Sequence, residues 1–83
     1  MNRIQIYEKA AKVFCDVFDD ETLAISDTTT SSDIEEWDSL SNLVLICELE
    51  LAFGIKFSME ELMDIKNVGE LVDIIENHTE SGL

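Results

Sequence analysis

Apolar residues recur at three-four spacing through the first part of the chain. Ile4, Tyr7, Ala11, Phe14 and Phe18 fall on one stripe of an α-helix, and Ala10, Val13 and Val17 widen it. Asn2 suits the cap of that helix, with Gln5 in the return position of a capping box. Asp19-Asp20-Glu21 marks its end, because anions oppose the dipole at a helix C-terminus. A second apolar run, Ser39 to Phe53, predicts a second helix with Asp38 as N-cap and Gly54 as a left-handed C-terminal cap. Ser58-Met59-Glu60-Glu61 is another capping box and predicts a short third helix from Met59 to Ile65, held by Phe57, Leu62 and Ile65. Asn67-Val68-Gly69-Glu70 opens a fourth helix whose apolar stripe is Val68, Leu71, Val72 and Ile75. Strand alternation is absent and no proline interrupts these segments. The expected fold class is all-α: a four-helix bundle with a long first loop and a short third helix, residues 1–83 forming a single domain.

The connection from Asp19 to Trp37 breaks the pattern. Its centre, Ser26 to Ser32, has no periodicity and favours turns and local side-chain hydrogen bonds. A stretch this long is functional, disordered or a crossover, and a crossover fits two helices lying side by side in the same sense. Leu23, Ile25 and Ile34 are spaced along it as anchors onto the bundle.

Charge narrows the function classes. Nineteen acids and five bases give a formal net charge of −14. Such a chain repels phosphate backbones and anionic lipid headgroups, which argues against nucleic-acid and membrane-surface binding. At 46% hydrophobic residues it is too apolar for a disordered acidic tail. Membrane insertion is not expected, since no apolar run approaches the roughly 18 residues of a spanning helix. With two cysteines, Cys15 and Cys47, and no apolar leader at the start, a reducing cytoplasmic setting and a monomer are expected. Between Val13 and Ile55 there are eleven acids and no Lys or Arg, a field that would steer a basic partner.

Chemistry-bearing residues are few. His78 has no Cys or His near it in sequence and reads as a solvated terminal histidine, and the two cysteines read as small apolar side chains. Neither Gly54 nor Gly69 can sit sixth in a calcium loop, because Leu49, Leu51 and Phe53, or Lys66 and Val68, would then occupy ligand positions. No resident metal site and no catalytic pair are expected, so the chain is not read as an enzyme. Asp38-Ser39-Leu40 stands apart. A serine in the first turn of a helix, at the end of a long loop, is reachable by another enzyme. A phosphate placed there would lie near unpaired backbone N–H groups and the positive end of the helix dipole.

With that tripeptide at the head of the second helix, the chain resembles the acyl carrier protein family over nearly its whole length. Phe53-Gly54-Ile55, the Glu60-Glu61 turn and Val68 follow at the family's spacing. The resemblance implies that Ser39 carries 4′-phosphopantetheine, transferred from coenzyme A by a phosphopantetheinyl transferase (a holo-ACP synthase) that uses Mg²⁺. The arm's thiol would hold acyl or aminoacyl cargo as a thioester for loading and transfer enzymes. By the same resemblance Asp38 supports the transferase and Leu40 enters an apolar socket on partners.

Departures from the family pattern point to a narrower role. Ser41, Val44 and Leu51 stand at second-helix positions that are usually acidic, and Met59 and Met63 at usually acidic or polar positions of the third, whereas Glu50 keeps an acid. Ten of the fifteen residues from Ser39 to Phe53 are apolar, more than one core-facing stripe needs. With Leu45, Ile46, Leu49 and Phe53 facing inward, Leu40, Leu43, Val44 and Cys47 form an exposed or half-exposed surface beside Ser39. Together with Glu48, Glu50, Met59 and Met63 they are the expected partner-binding residues, docking more by burial than by charge. The expected function is a carrier of a specialised lipid, polyketide or related biosynthetic pathway. An aminoacyl or peptidyl carrier of the same fold, and an unmodified acidic adaptor or regulatory module, are the alternatives. A buried acyl chain of six to eight carbons would gain about 5 kcal/mol, at roughly 0.8 kcal/mol per methylene, before the cost of opening the bundle.

Overall fold

The computed structural model describes the backbone of residues 2–81 and the side chains of residues 2–79. Four helices follow one another: α1 (Arg3–Phe18), α2 (Ser39–Phe53), α3 (Met59–Asp64) and α4 (Val68–Ser81). Capping boxes open the first three, at Asn2 with Gln5, Asp38 with Ser41 and Ser58 with Glu61. Two ends are left-handed caps, Asp19 after α1 at φ 52° and Gly54 after α2 at φ 66°. Asp19 tolerates this conformation better than most side chains, and its N–H returns to the Cys15 carbonyl. α3 stops at Asp64, with Ile65 already extended, one residue short of the sequence expectation.

The core is built from Ile6, Ala10 and Phe14 of α1, Leu45, Ile46 and Leu49 of α2, Val68, Leu71, Val72 and Ile75 of α4, and Ile34 of the first loop. α1 differs from expectation in rotation: Ile6 is fully buried while Ile4 is 70% exposed. Tyr7, Val13, Val17 and Phe18 flank the true inner stripe. α3 has no buried residue, and Phe57, Leu62 and Ile65 hold it through half-buried contacts.

The first loop does not link helices of the same sense. Phe14 and Phe18 near the end of α1 pack on Trp37 just before α2, whereas Lys9, halfway along α1, lies over Phe53 at the end of α2. The two helices therefore run in opposite senses. The loop is long because it travels to the start of α4 and back. There the Val68 N–H donates to the Thr29 carbonyl (2.8 Å) and the Gly69 N–H to the Asp27 carbonyl (3.0 Å), so loop backbone satisfies orphan donors of the helix start. Gly69 permits this approach, since a Cβ there would lie 2.8 Å from the Asp27 carbonyl oxygen.

Side chains fasten the same junction. Arg3 bridges Asp27 (2.9 Å) and Asp73 (2.6 Å), and the Tyr7 hydroxyl donates to Asp27. Burial, and then the hydrogen bond to Asp27, push the Tyr7 phenol up to about 12. The Tyr7 and Arg3 donors hold the Asp27 carboxyl below its ordinary range. Among the described residues no helix is long and apolar enough to cross a membrane.

Candidate functional site

The loop returns from α4 to α2 through Trp37, and that residue fixes where α2 starts. Its ring meets Phe14 edge-on at 5.3 Å and Phe18 at 6.2 Å, and its Nε1 donates to Asn42 Oδ1 at 2.9 Å. Trp37 is thus an anchor for the loop end. Asp38 follows as N-cap. Its Oδ1 accepts the Ser41 N–H (2.9 Å), and the Asp38 N–H donates to Ser41 Oγ (2.8 Å). Ser41 Oγ in turn donates to the Glu36 carbonyl (2.8 Å). The serine that replaces an expected acid here completes the cap. The Ser41 N–H is also the main reason that the Asp38 carboxyl lies below its ordinary range, so Asp38 is ionised at neutral pH.

Ser39 is the first residue of α2 and is exposed. Its hydroxyl makes no hydrogen bond among the described residues, unlike those of Ser41 and Ser58, which are committed to caps. Beside it runs an open groove of about 410 Å³ between the head of α2 and the α3–α4 connection. Trp37, Asn42, Asn67, Ser31 and Lys66 give it polar edges, and Ile46, Leu62, Ile65 and Leu71 an apolar floor. A phosphodiester on Ser39 would sit at the N-terminus of a 15-residue helix, where backbone N–H groups and the dipole favour an anion. The amides of a pantetheine chain would find hydrogen-bonding partners along the groove. The residues present therefore fit a phosphopantetheine arm.

The remaining candidate residues fall in three places. Leu40, Leu43, Val44, Cys47 and Glu48 are exposed on the outer side of α2, and Met59 and Met63 are exposed one turn apart on α3. Glu50 is half-buried, and its carboxylate accepts the Phe57 N–H at 2.9 Å, so it braces the turn out of α2 as well as carrying charge. Leu51, singled out in the sequence only for not being acidic, is 78% exposed and extends the apolar face. Its spacing, four beyond Cys47 and seven beyond Val44, is the signal that places it there.

His78 departs from expectation. It is half-buried, with Nε2 3.0 Å from the Glu61 carboxylate and its ring edge-on to Phe57 at 6.2 Å. It clamps α3 to α4 instead of facing solvent. The Ser58 N–H and then His78 hold the Glu61 carboxyl below its ordinary range. Cys15 and Cys47 are free, and among the described residues no group of three or more His, Cys, Asp or Glu side chains could hold a metal ion.

Comparison with known proteins agrees with this geometry. The family described as "Phosphopantetheine attachment site" matches residues 8–75. The chain is 33% identical over 81 residues to the acyl carrier protein of Coprothermobacter proteolyticus, covering 94% of this chain and 95% of that one. It superimposes with a TM-score of 0.87 and 37% identity on the solution NMR structure of holo acyl carrier protein from Geobacter metallireducens, covering 92% of this chain and 87% of the other. The chain belongs to the acyl carrier protein family, as a carrier and not an enzyme, with a covalently attached phosphopantetheine as its prosthetic group.

Proposed function

We propose that Ser39 is the attachment residue and that the protein carries acyl intermediates for a dedicated biosynthetic pathway. One observation carries this reading: the exposed, uncommitted hydroxyl of Ser39 at the head of α2, opening onto a groove that fits the arm. In the loading reaction that hydroxyl attacks the phosphorus of coenzyme A that bears the pantetheine. A phosphodiester to Ser39 Oγ forms, the pyrophosphate bond breaks, and adenosine 3′,5′-bisphosphate leaves. The hydroxyl proton passes to a base on the transferase. Asp38, ionised and adjacent, supports the transferase's metal. Once attached, the arm supplies a terminal thiol for thioester chemistry. The chain itself contributes the rigid helix end, the groove and the docking face.

The test is a mass spectrum after incubation with coenzyme A and a broadly tolerant phosphopantetheinyl transferase. A gain of one phosphopantetheinyl unit that disappears in Ser39→Ala is expected. An unchanged wild-type mass would favour the adaptor reading and overturn this one.

The dedicated pathway is supported by the exposed Leu40, Leu43, Val44 and Leu51, where a carrier reading partners through charge would present acids. Poor service to a general fatty-acid ketosynthase is expected, improved by Val44→Glu. Efficient service by the wild type, undiminished by that substitution, would contradict it.

A further inference from the structure

The groove beside Ser39 is lined by hydrogen-bond donors that nothing in the protein engages. Asn42 Oδ1 accepts the Trp37 Nε1–H at 2.9 Å, and Asn67 Oδ1 accepts the Glu70 N–H at 2.8 Å. Both carboxamides are thus fixed with their oxygens engaged, and their NH2 groups find no acceptor among the described residues. Lys66 is on the same lining, the only one of the five bases that is. Glu61, Asp64, Glu70 and Asp73 share a second concavity with Lys66, yet it makes no ion pair among the described residues. Three of those acids have other partners: Glu61 the Ser58 N–H and His78, Glu70 the backbone N–H of Lys66, and Asp73 the Arg3 guanidinium. The groove's own carboxylate, Asp38, is engaged by the Ser41 N–H.

We propose that this groove selects the cargo. The cargo is a short dicarboxylic acyl group, joined to the arm through one carboxyl and presenting the other, several methylenes away, to Lys66, Asn42 and Asn67. The proposal rests on the carrier reading and names the cargo class for it. A carboxylate only accepts hydrogen bonds, so it matches a set made of donors. Its bonds to an ammonium are charge-assisted and about twice as strong as neutral ones. The methylenes between the two carboxyls suit the apolar floor of Ile46, Leu62, Ile65 and Leu71. A plain alkyl chain would cover the ammonium and both amides without replacing their water, which is unfavourable. An aminoacyl group would bring a second cation against Lys66. The arm's own carbonyls are neutral and answer the carboxamides but not the ammonium. Weak binding suffices, because tethering at Ser39 supplies an effective concentration on the order of millimolar.

The test loads the full-length protein through a phosphopantetheinyl transferase, using coenzyme A analogues that bear an amide-linked glutaryl, pentanoyl or γ-aminobutyryl group. The amide keeps the cargo on the arm. The free carboxyl of the glutaryl arm is ¹³C-labelled and titrated by NMR, with the same analogue free in solution as reference. On a chain of net charge −14, a carboxyl left in solvent titrates above that reference, because the protein's field favours the neutral form. A carboxyl held by Lys66 and the two carboxamides titrates below it, by roughly half a unit or more. The wild type should fall below the reference and Lys66→Met above it. Lys66→Arg, which restores the charge, should fall below it again. Lys66 is exposed, so neither substitution disturbs the core. The side-chain NH2 resonances of Asn42 and Asn67 should move with the glutaryl arm. With the other two arms they should stay where the unacylated holo-protein leaves them. Equal movement with the pentanoyl arm would overturn the proposal, and so would a wild-type carboxyl titrating at or above the reference or indifferent to Lys66→Met. A mass gain on loading without these shifts overturns the cargo assignment alone, whereas an absent mass gain overturns the carrier reading and this one with it.

Discussion

α2 and α4 are nearly equal in length, yet they use their apolar residues differently. α4 spends its stripe on the core: Val68, Leu71, Val72 and Ile75 are buried, while Asp73 faces solvent. α2 buries Leu45, Ile46 and Leu49 to the same extent and then exposes Leu40, Leu43, Val44 and Leu51 on its other side. A helix with one apolar stripe is accounted for by folding. A helix with two, one of them unpaired, holds apolar surface that folding does not use, and here that surface starts at the candidate attachment serine. The surplus separates the helix that presents from the helix that supports.

The comparison is sharpest in two leucines of α2 two positions apart. Leu49 is 0% exposed and Leu51 is 78% exposed. Leu49→Ala should cost about 2–5 kcal/mol of folding stability through lost burial and a cavity. Leu51→Ala should change stability by about 0.5 kcal/mol or less while weakening partner docking. Denaturant unfolding of the two variants checks this, and similar losses for both would break the distinction between the faces.

The supporting role of α4 has its own test at Gly69. An added Cβ would meet the Asp27 carbonyl oxygen at 2.8 Å and its Cα at 3.1 Å, all backbone that cannot swing aside. Gly69→Ala should therefore cost about 1–3 kcal/mol in spite of alanine's better helix propensity. The loss should appear in thermal unfolding, with docking at α2 unaffected. A stabilised variant would mean that the loop is not pressed against the start of α4.

Local chemistry explains which parts of this architecture could be read from the sequence. The bounds of α2, its Asp38 and Gly54 caps, and the inner stripe of α4 depend on residues within a turn of one another, and all were legible. So was the exposure of Leu40, Leu43 and Val44, because ten apolar residues in fifteen exceed what one inner face accepts. The rotation of α1 was not, since apolar residues at 4, 6, 7, 10, 11, 13 and 14 allow overlapping stripes and only the positions of α2 and α4 choose Ile6 over Ile4. The course of the first loop depends on Asp27 meeting Arg3, Tyr7 and Gly69, and the role of His78 on Glu61, seventeen residues away. Such contacts have no period and leave no local signature.

Tyr7, the only tyrosine, reports directly on the loop junction. Its phenol is pushed up from 10.0 to about 12, first by burial and then by donation to Asp27. A raised folded value means that the stabilisation is fully present below the ordinary tyrosine range and is lost as pH rises through about 12. Ultraviolet titration should place ionisation near about 12 in the wild type. Asp27→Ala should bring it part of the way down, the burial contribution remaining. An ordinary wild-type titration would mean that the junction is open.

The smallest effect concerns α3, the element with no buried residue. Glu61 accepts the Ser58 N–H at 2.8 Å and contacts His78 at 3.0 Å, and these contacts hold its carboxyl below the ordinary 4.5. A depressed folded value contributes stability above the ordinary value that fades as pH falls through the folded one. The thermal midpoints of wild type and Glu61→Gln should therefore differ by a constant amount near neutrality and converge in acid. His78→Gln should remove part of the difference, because the Ser58 N–H is the larger influence and survives that change. A difference that widened in acid would show that the Glu61 charge opposes the cap. α3 would then be held only by Phe57, Leu62 and Ile65, leaving it looser still against the groove beside Ser39.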